Sequence, residues 1–348
     1  MTDSLPRLSI VVTSRNDDHG GEMLKRMTIF IKGLLHQTRK HDLQIELVFV
    51  EWNPAAGKPL LNEVLPKPQP GDKLSMRYIV VPNRIHQRYK RGVEIPLFQM
   101  IAKNIGIRRA KSDWILCSNV DLLFSDKLML LLKKGGFDKK SYYRANRCDI
   151  PNKLEADWPT EAALAYSEKN IIKRLGKDSR FLYVGDWPHL IPRNRLTLWM
   201  IDTANYLRLK YLYDAVQFKL RPLDAEACGD FTMMHREGWL DIKGYLELDL
   251  YSLHIDTFAL MMALTRDYKQ VILDPYACIY HIEHNTGWES MNPIEKIKFW
   301  EQRPGLAHDF IWEAAKFMLY RGKTFYVNDD NWGMPQENFE EIILSPPN

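Results

Sequence analysis

Four short apolar runs stand out in the first third of the chain: Leu8–Thr13, Ile45–Val50, Tyr78–Val81 and Trp114–Cys117. Nearly continuous runs of this length suit parallel strands buried on both faces. Between the first two, Leu24, Met27, Ile31, Leu34 and Leu35 recur at helical spacing. Pro96 then opens a helix carrying Leu97, Ile101 and Ile105, with proline at its favoured first position. Trp52-Asn53-Pro54 ends the second strand, and the Pro/Gly-rich stretch Pro66–Gly71 is a loop. Strands alternating with helices predict βαβ units with right-handed crossovers, hence an open, mostly parallel α/β sheet flanked by helices.

Residues 141–225 are rich in aromatics and arginine and yield one element, a helix over Thr160–Leu175 with Thr160 as its N-cap. Regular patterning resumes with a strand over Phe231–Met234 and a short helix over Arg236–Ile242 stopped by Gly244. An apolar helix over Asp256–Arg266 and strands at Val271–Leu273 and Cys278–His281 follow. Pro293–Leu319 is mainly helical, broken at Pro304-Gly305, and the polar tail Tyr326–Asn348 wraps the surface. The expected organisation is one domain over 1–290, in halves 1–126 and 127–290, with a helical extension and tail over 291–348.

With 348 residues and 45% hydrophobic content the chain can bury a full core. A net charge of +4, with no recognition helix and no ribonucleoprotein-type aromatic strand, excludes a nucleic-acid-binding module. It leaves room for attraction to phosphates or to an anionic membrane surface. Met1–Pro6 has no basic or apolar leader character, and no run reaches the roughly 18 apolar residues of a membrane span. Four scattered cysteines without a Cys-x-x-Cys pair fit a reducing compartment. A cytoplasmic protein, at most peripheral to a membrane, is expected.

The segment Ala102–Asp126 is a helix, a tight turn, a buried strand and then polar oxygen ligands where the strand ends. In open α/β sheets ligands bind beyond the carboxyl ends of strands, which is where Asn119-x-Asp121 falls. In extended backbone, residues i and i+2 point the same way, so both oxygens can face one divalent cation. Hard oxygen ligands suit Mg²⁺ or Mn²⁺, with phosphates completing the shell.

This segment resembles the family 2 type of GT-A glycosyltransferases, whose Arg/Lys-Asn-x-Gly helix is matched by Lys103, Asn104 and Gly106. Their Asp-x-Asp motif is matched by Asn119-Val120-Asp121, with an uncharged amide in place of the first carboxylate. The resemblance implies a Rossmann-like GT-A fold, with a nucleotide-binding half over 1–126 and an acceptor-binding half over 127–290. It also implies a nucleotide-sugar donor, UDP-linked, held with a divalent metal through Asp121. Thr13, Ser14, Arg15 and Asn16 match the family's nucleotide turn, and Glu51 its acidic residue near the base, although polar residues at strand ends are commonplace. Asn104, Asn119 and Asp230 complete the expected donor contacts.

The block Gly229–Trp239, running into Gly244-Tyr245, resembles the acceptor side of galactosyltransferase-like GT-A enzymes. In that family an acidic pair opens the next helix and its Asp is the catalytic base. Asp256 falls on that position, with Ile255 where the other acidic residue would stand. A base must deprotonate the attacking hydroxyl, but a carboxylate at a helix start is also a routine N-cap. Glu247 and Asp249 are alternative bases. Many GT-A enzymes bring a late histidine to the metal, a role open to His281 and His284. In extended backbone i and i+3 face opposite sides, so one ligand is expected, with His281 preferred and His284 left for diphosphate or acceptor. The implied reaction is inverting transfer to a hydroxyl of a glycan or lipid-linked acceptor. Two rivals remain. A sugar nucleotidyltransferase needs a Gly-rich phosphate loop, of which Gly20-Gly21 is a poor version. A degenerate GT-A-like binding or scaffold protein is favoured by Asn119 and Ile255.

Overall fold

The computed structural model describes residues 7–175, 224–284 and 323–347 without interruption, and parts of 190–222 and 292–318. The first three apolar runs become β1 (Leu8–Ser14), β2 (Ile45–Trp52) and β3 (Leu74–Val81), and the fourth becomes β4 (Trp114–Ser118). All seven residues of β1 are buried, because it is covered from both sides. Leu8, Ile10 and Val12 pack against α1 (Met23–Lys40), while Val11 joins the core under α4 (Gln99–Arg109). Between them lie the one-turn helices α2 (Leu61–Val64) and α3 (Asn83–His86).

The chain continues through β5 (Leu122–Phe124), α5 (Asp126–Lys134), β6 (Ser141–Arg144), β7 (Arg147–Ile150), α6 (Thr160–Lys169) and β8 (Lys173–Leu175). A two-residue ribbon follows, β9 (Leu190–Ile191) with β10 (Arg221–Pro222). Then come β11 (Phe231–His235), α7 (Arg236–Asp241), α8 (Ile255–Thr265), β12 (Lys269–Ile272), β13 (Ile279–Ile282), α9 (Pro293–Glu301) and β14 (Glu340–Leu344).

The large sheet has eight strands in the order β12-β6-β11-β4-β1-β2-β3-β14. It is parallel across β4-β1-β2-β3 and between β6 and β12; β11 runs antiparallel to both neighbours and β14 to β3. The protein is therefore a mixed α/β structure with a large, mostly parallel sheet flanked by helices. A second sheet has the order β5-β13-β7-β8. At β4/β5, β6/β7 and β12/β13 the chain passes from the large sheet directly into the second. Among the described residues no helix is long and apolar enough to cross a membrane.

Beyond shifted strand ends and the unread α5, β6 and β7, the structure departs from the sequence reading at these elements. The helix after Pro96 begins at Gln99. The helix at Thr160 stops at Lys169, because pairing with β7 draws Lys173–Leu175 into a strand, and Thr160 itself is the first helical residue rather than the cap. The tail adds β14 to the open edge of β3, satisfying that edge's backbone groups.

The glycines and the asparagine of the helix motif explain themselves in packing. A Cβ on Gly106 would lie 2.4 Å from a methyl of Val11, so α4 can approach β1 closely only with glycine there. Asn104 is fully buried; its Nδ2 donates to the Tyr245 carbonyl (2.8 Å) and to Glu247 (3.0 Å), and its Oδ1 accepts from the Tyr245 N–H (2.8 Å). Gly244, at φ 67°, leaves the space that Asn104 occupies, since a Cβ there would sit 2.4 Å from its Oδ1. Glu247 also accepts from the Gly333 N–H at 2.7 Å, which ties the tail to the same clamp. Asn104→Ala is expected to lower the unfolding free energy by about 1–3 kcal/mol, the cost of leaving buried partners unsatisfied. Chemical denaturation reads this directly, and an unchanged midpoint would show that the clamp contributes nothing.

Candidate functional site

Beyond Ser118 the chain bends at Val120 and Asp121 before entering β5. Pairing of β5 with β13 sets Leu122 opposite His281, so Asp121 emerges at the junction of the two sheets. There Asp121, His281 and His284 converge, with one ligand atom from each lying within 4.8 Å of the others. Nε2 of His284 is 3.2 Å and Nε2 of His281 3.7 Å from the same carboxylate oxygen of Asp121. The expectation that only one of the two histidines reaches this point is corrected. β13 ends at Ile282, and beyond it the i, i+3 rule for extended backbone no longer applies.

Asp121 is only 8% exposed, and its Oδ1 is buried with no hydrogen-bond partner among the described residues. Burial alone would raise this carboxyl. The hydrogen bond from His284 and the charges of His281, His284 and Arg26 outweigh it and hold Asp121 well below the usual carboxylate range. A buried carboxylate with an unused lone pair beside two imidazoles fits a divalent cation that keeps open positions for other ligands. Two imidazoles favour Mn²⁺ over Mg²⁺, which prefers oxygen.

Behind this cluster runs a polar network that the sequence did not reveal. Asp149, on β7, places its Oδ1 3.2 Å from Nδ1 of His281 and 2.6 Å from Nε of Arg147. Burial would raise Asp149, but His281 and Arg147 hold it down to about 2. Arg147 reaches on to Asp230 at 2.8 Å. The other oxygen of Asp230 accepts from Nδ2 of Asn119 at 2.5 Å. Oδ1 of Asn119 accepts from Gln99 and from Lys103, each at 2.9 Å, and Lys103 also donates to the Gly229 carbonyl at 2.8 Å. Asn119 and Asp230 thus spend their polar atoms on protein partners, as Asn104 does. No motif marks Asp149, which lies in the segment without periodic pattern.

The nucleotide-turn residues line up along the same edge, at the carboxyl ends of β1 and β2. Thr13 is buried and donates to the Val50 carbonyl at 2.8 Å, and Ser14 is opposite Glu51 in the sheet register. Arg15 pairs with Asp17 at 3.3 Å and donates to the Pro96 carbonyl at 3.2 Å, and Asn16 donates to the Pro59 carbonyl at 3.1 Å. Glu51 is fully buried; it accepts from the Leu61 N–H at 2.8 Å, while its Oε1 has no partner among the described residues. Burial raises its carboxyl to about 7, opposed by the bond from Leu61. The loop after this turn is tied to α1, where Arg26 donates to the His19 carbonyl at 2.7 Å.

Asp256 is the second residue of α8, half-buried, with Oδ1 accepting from the Thr257 N–H at 2.8 Å. Its other oxygen lies against Gly229, where a Cβ would come within 3.0 Å of it. It therefore sits beside the Gly229-Asp230 turn that closes the polar network. Of the alternatives, Glu247 is locked in the Asn104 clamp and Asp249 accepts from the Arg91 N–H. A cavity of about 520 Å³ lies elsewhere, behind the small sheet, lined by Tyr276, Tyr280 and Arg174 among others. Tyr280 and His281 are consecutive in β13 and point to opposite faces, so this cavity is separate from the histidine cluster.

No family model and no curated protein sequence matches the chain. Among solved structures it is similar to the catalytic domain of Drosophila β1,4-galactosyltransferase 7 in complex with xylobiose. That similarity covers 86% of this chain and 81% of the other, at 10% sequence identity and a TM-score of 0.37. At that level of likeness, the functional reading rests on the chain's own residues.

Proposed function

We propose that the protein is a metal-dependent glycosyltransferase that moves a sugar from a nucleotide-sugar donor, UDP-linked, to a hydroxyl of a glycan or lipid-linked acceptor. The observation that carries this reading is the convergence of Asp121, His281 and His284 at the junction of the two sheets, beyond the carboxyl end of β4. The polar turn at Thr13–Asn16 and the acidic end of β2 lie along the same edge of the sheet, as a donor's nucleoside would need.

Asp121, His281 and His284 would hold Mn²⁺, whose chemistry is to neutralise the charge growing on the departing diphosphate. Asp256 accepts the proton of the acceptor hydroxyl as that oxygen attacks the anomeric carbon. One carbon–oxygen bond forms while the bond to the diphosphate breaks, so a single displacement inverts the configuration. Lys103 lies near Asp256 and Asp230; burial pulls its ammonium below the usual value, against the pull of Cys117 and these carboxylates. A non-catalytic binding protein is the second reading, favoured by the internal bonds of Asn119 and by the Asp256–Thr257 cap. The nucleotidyltransferase reading has less support, because the Gly21 N–H, which a phosphate loop would offer to its ligand, donates to the Asp18 carbonyl at 3.0 Å.

UDP with Mn²⁺ is expected to raise the thermal midpoint, by the equivalent of about 2.7 kcal/mol at a hundredfold excess over Kd, and Asp121→Ala to abolish the Mn²⁺-dependent part. No shift with any nucleoside diphosphate or nucleotide sugar would remove the donor site altogether. Asp256→Asn should lower kcat by about 10²–10⁴-fold while leaving the UDP–Mn²⁺ shift intact. Near-full turnover would reduce Asp256 to a helix cap. A binding protein would show the shift and no transfer with any acceptor.

Glu51 gives a separate pH signature. Its folded value, about 7, lies above the ordinary 4.5, so the folded protein keeps a proton that the unfolded chain releases. Its contribution to stability is present below the ordinary value and lost as pH rises through about 7. Glu51→Gln should therefore flatten the fall in stability between the ordinary 4.5 and about 7, measured by urea unfolding. An unchanged slope would show that Glu51 ionises normally.

A further inference from the structure

We infer that Asp149 is a positioning residue for the cation, fixing the tautomer and the orientation of His281. The inference rests on the reading of Asp121, His281 and His284 as metal ligands.

An imidazole can offer a lone pair to a cation on one nitrogen only if its proton sits on the other. The two nitrogens of His281 face different groups: Nε2 is towards Asp121 at 3.7 Å, and Nδ1 is towards Asp149 at 3.2 Å. A carboxylate is an acceptor only, so one placed at Nδ1 selects the tautomer protonated there and leaves Nε2 free for the metal. The arrangement is built into the sheet. His281 and Asp149 are direct register partners on the parallel strands β13 and β7, which puts their side chains on one face as neighbours. That register is pinned by bonds from the Ile279 N–H to the Asn146 carbonyl (2.9 Å) and from the Glu283 N–H to the Ile150 carbonyl (2.9 Å).

Asp149 is held in turn. It is 8% exposed, and Arg147 two residues earlier grips its Oδ1 at 2.6 Å while anchoring to Asp230 at 2.8 Å. The Asp149 side chain therefore cannot swing towards solvent without breaking its bond to an arginine that is itself fixed. His284 has no equivalent support: among the described residues Asp121 is its one carboxylate at ion-pair distance, whereas His281 has a second, Asp149, 3.2 Å from its Nδ1. The two histidines are thus unequal: His281 is preset for a cation and His284 has to be ordered by one.

The test uses the full chain and two readouts. The first is the tautomer of His281 in the metal-free protein, from ¹⁵N NMR of the histidine side chains. Wild type is expected to carry the proton on Nδ1, and Asp149→Ala to show a mixture. A proton on Nε2 in wild type overturns the inference whatever the variants do. The second is Mn²⁺ affinity from electron paramagnetic resonance titration. Asp149→Ala should weaken it by about 10–100-fold, and Arg147→Gln, which leaves Asp149 in place but unanchored, by less. Mn²⁺ binding by Asp149→Ala at wild-type affinity overturns the positioning role alone. Absence of Mn²⁺ binding by wild type overturns the metal reading and this inference with it.

Discussion

A strand that leaves one sheet for another inside a protein must have its backbone amides paired at the crossing, or the cost of burying them forbids the path. This chain passes from the large sheet into the second along one seam, at β4/β5, β6/β7 and β12/β13. The bonds that close the seam run from the Leu273 N–H to the Arg144 carbonyl (2.8 Å), from the Ser125 N–H to the Cys278 carbonyl (3.1 Å) and from the Ile282 N–H to the Asp121 carbonyl (3.1 Å). The Asp121–His281–His284 cluster and its supporting residues sit on or beside this line. Asp121 is in the first crossing, Arg147 and Asp149 follow the second, and His281 and His284 follow the third. Residues far apart in sequence meet because three backbones must turn at one place, and the irregular stretches that result are where side chains can aim at something other than core.

The large sheet was legible because its signal is local. Continuous apolar runs fixed β1 to β4, and the helical spacing of Leu24 to Leu35 fixed α1, since burial on both faces of a parallel sheet leaves that pattern and little else. The Asn-x-Gly helix was legible as a motif, but its physical reason was not: Gly106 makes room for Val11, and Asn104 clamps the Gly244-Tyr245 turn. What the pattern did not carry depends on partners distant in the chain. β8 exists because β7 is there to pair with it, and β14 because β3 has an open edge. Asp149 belongs to a stretch of aromatics and arginines with no period, so neither its place opposite His281 nor its grip by Arg147 leaves a trace in sequence. The rule that i and i+3 diverge failed at His281 and His284 because it presumes a strand, and the strand ends between them.

The departure at Asn119 has a physical account in the same network. Its two amide ends do opposite work: Oδ1 accepts from Gln99 and Lys103, and Nδ2 donates to Asp230. An aspartate at this position would still accept from Lys103, but it would set a carboxylate oxygen against the Asp230 carboxylate at 2.5 Å. Two like charges that close in a poorly solvated site cannot both stay ionised at neutral pH. Asp230 is already committed to Arg147, and Arg147 to Asp149, so a second charge at 119 would have to be absorbed by breaking that chain. The neutral amide removes the conflict and lets the negative charge of the region concentrate on Asp121 and Asp149. On the proposed reading Asn119 would not be a worn-down ligand: the acidic groups lie on β7 and at the bend before β5, and the group that could hold a metal is one carboxylate with two imidazoles.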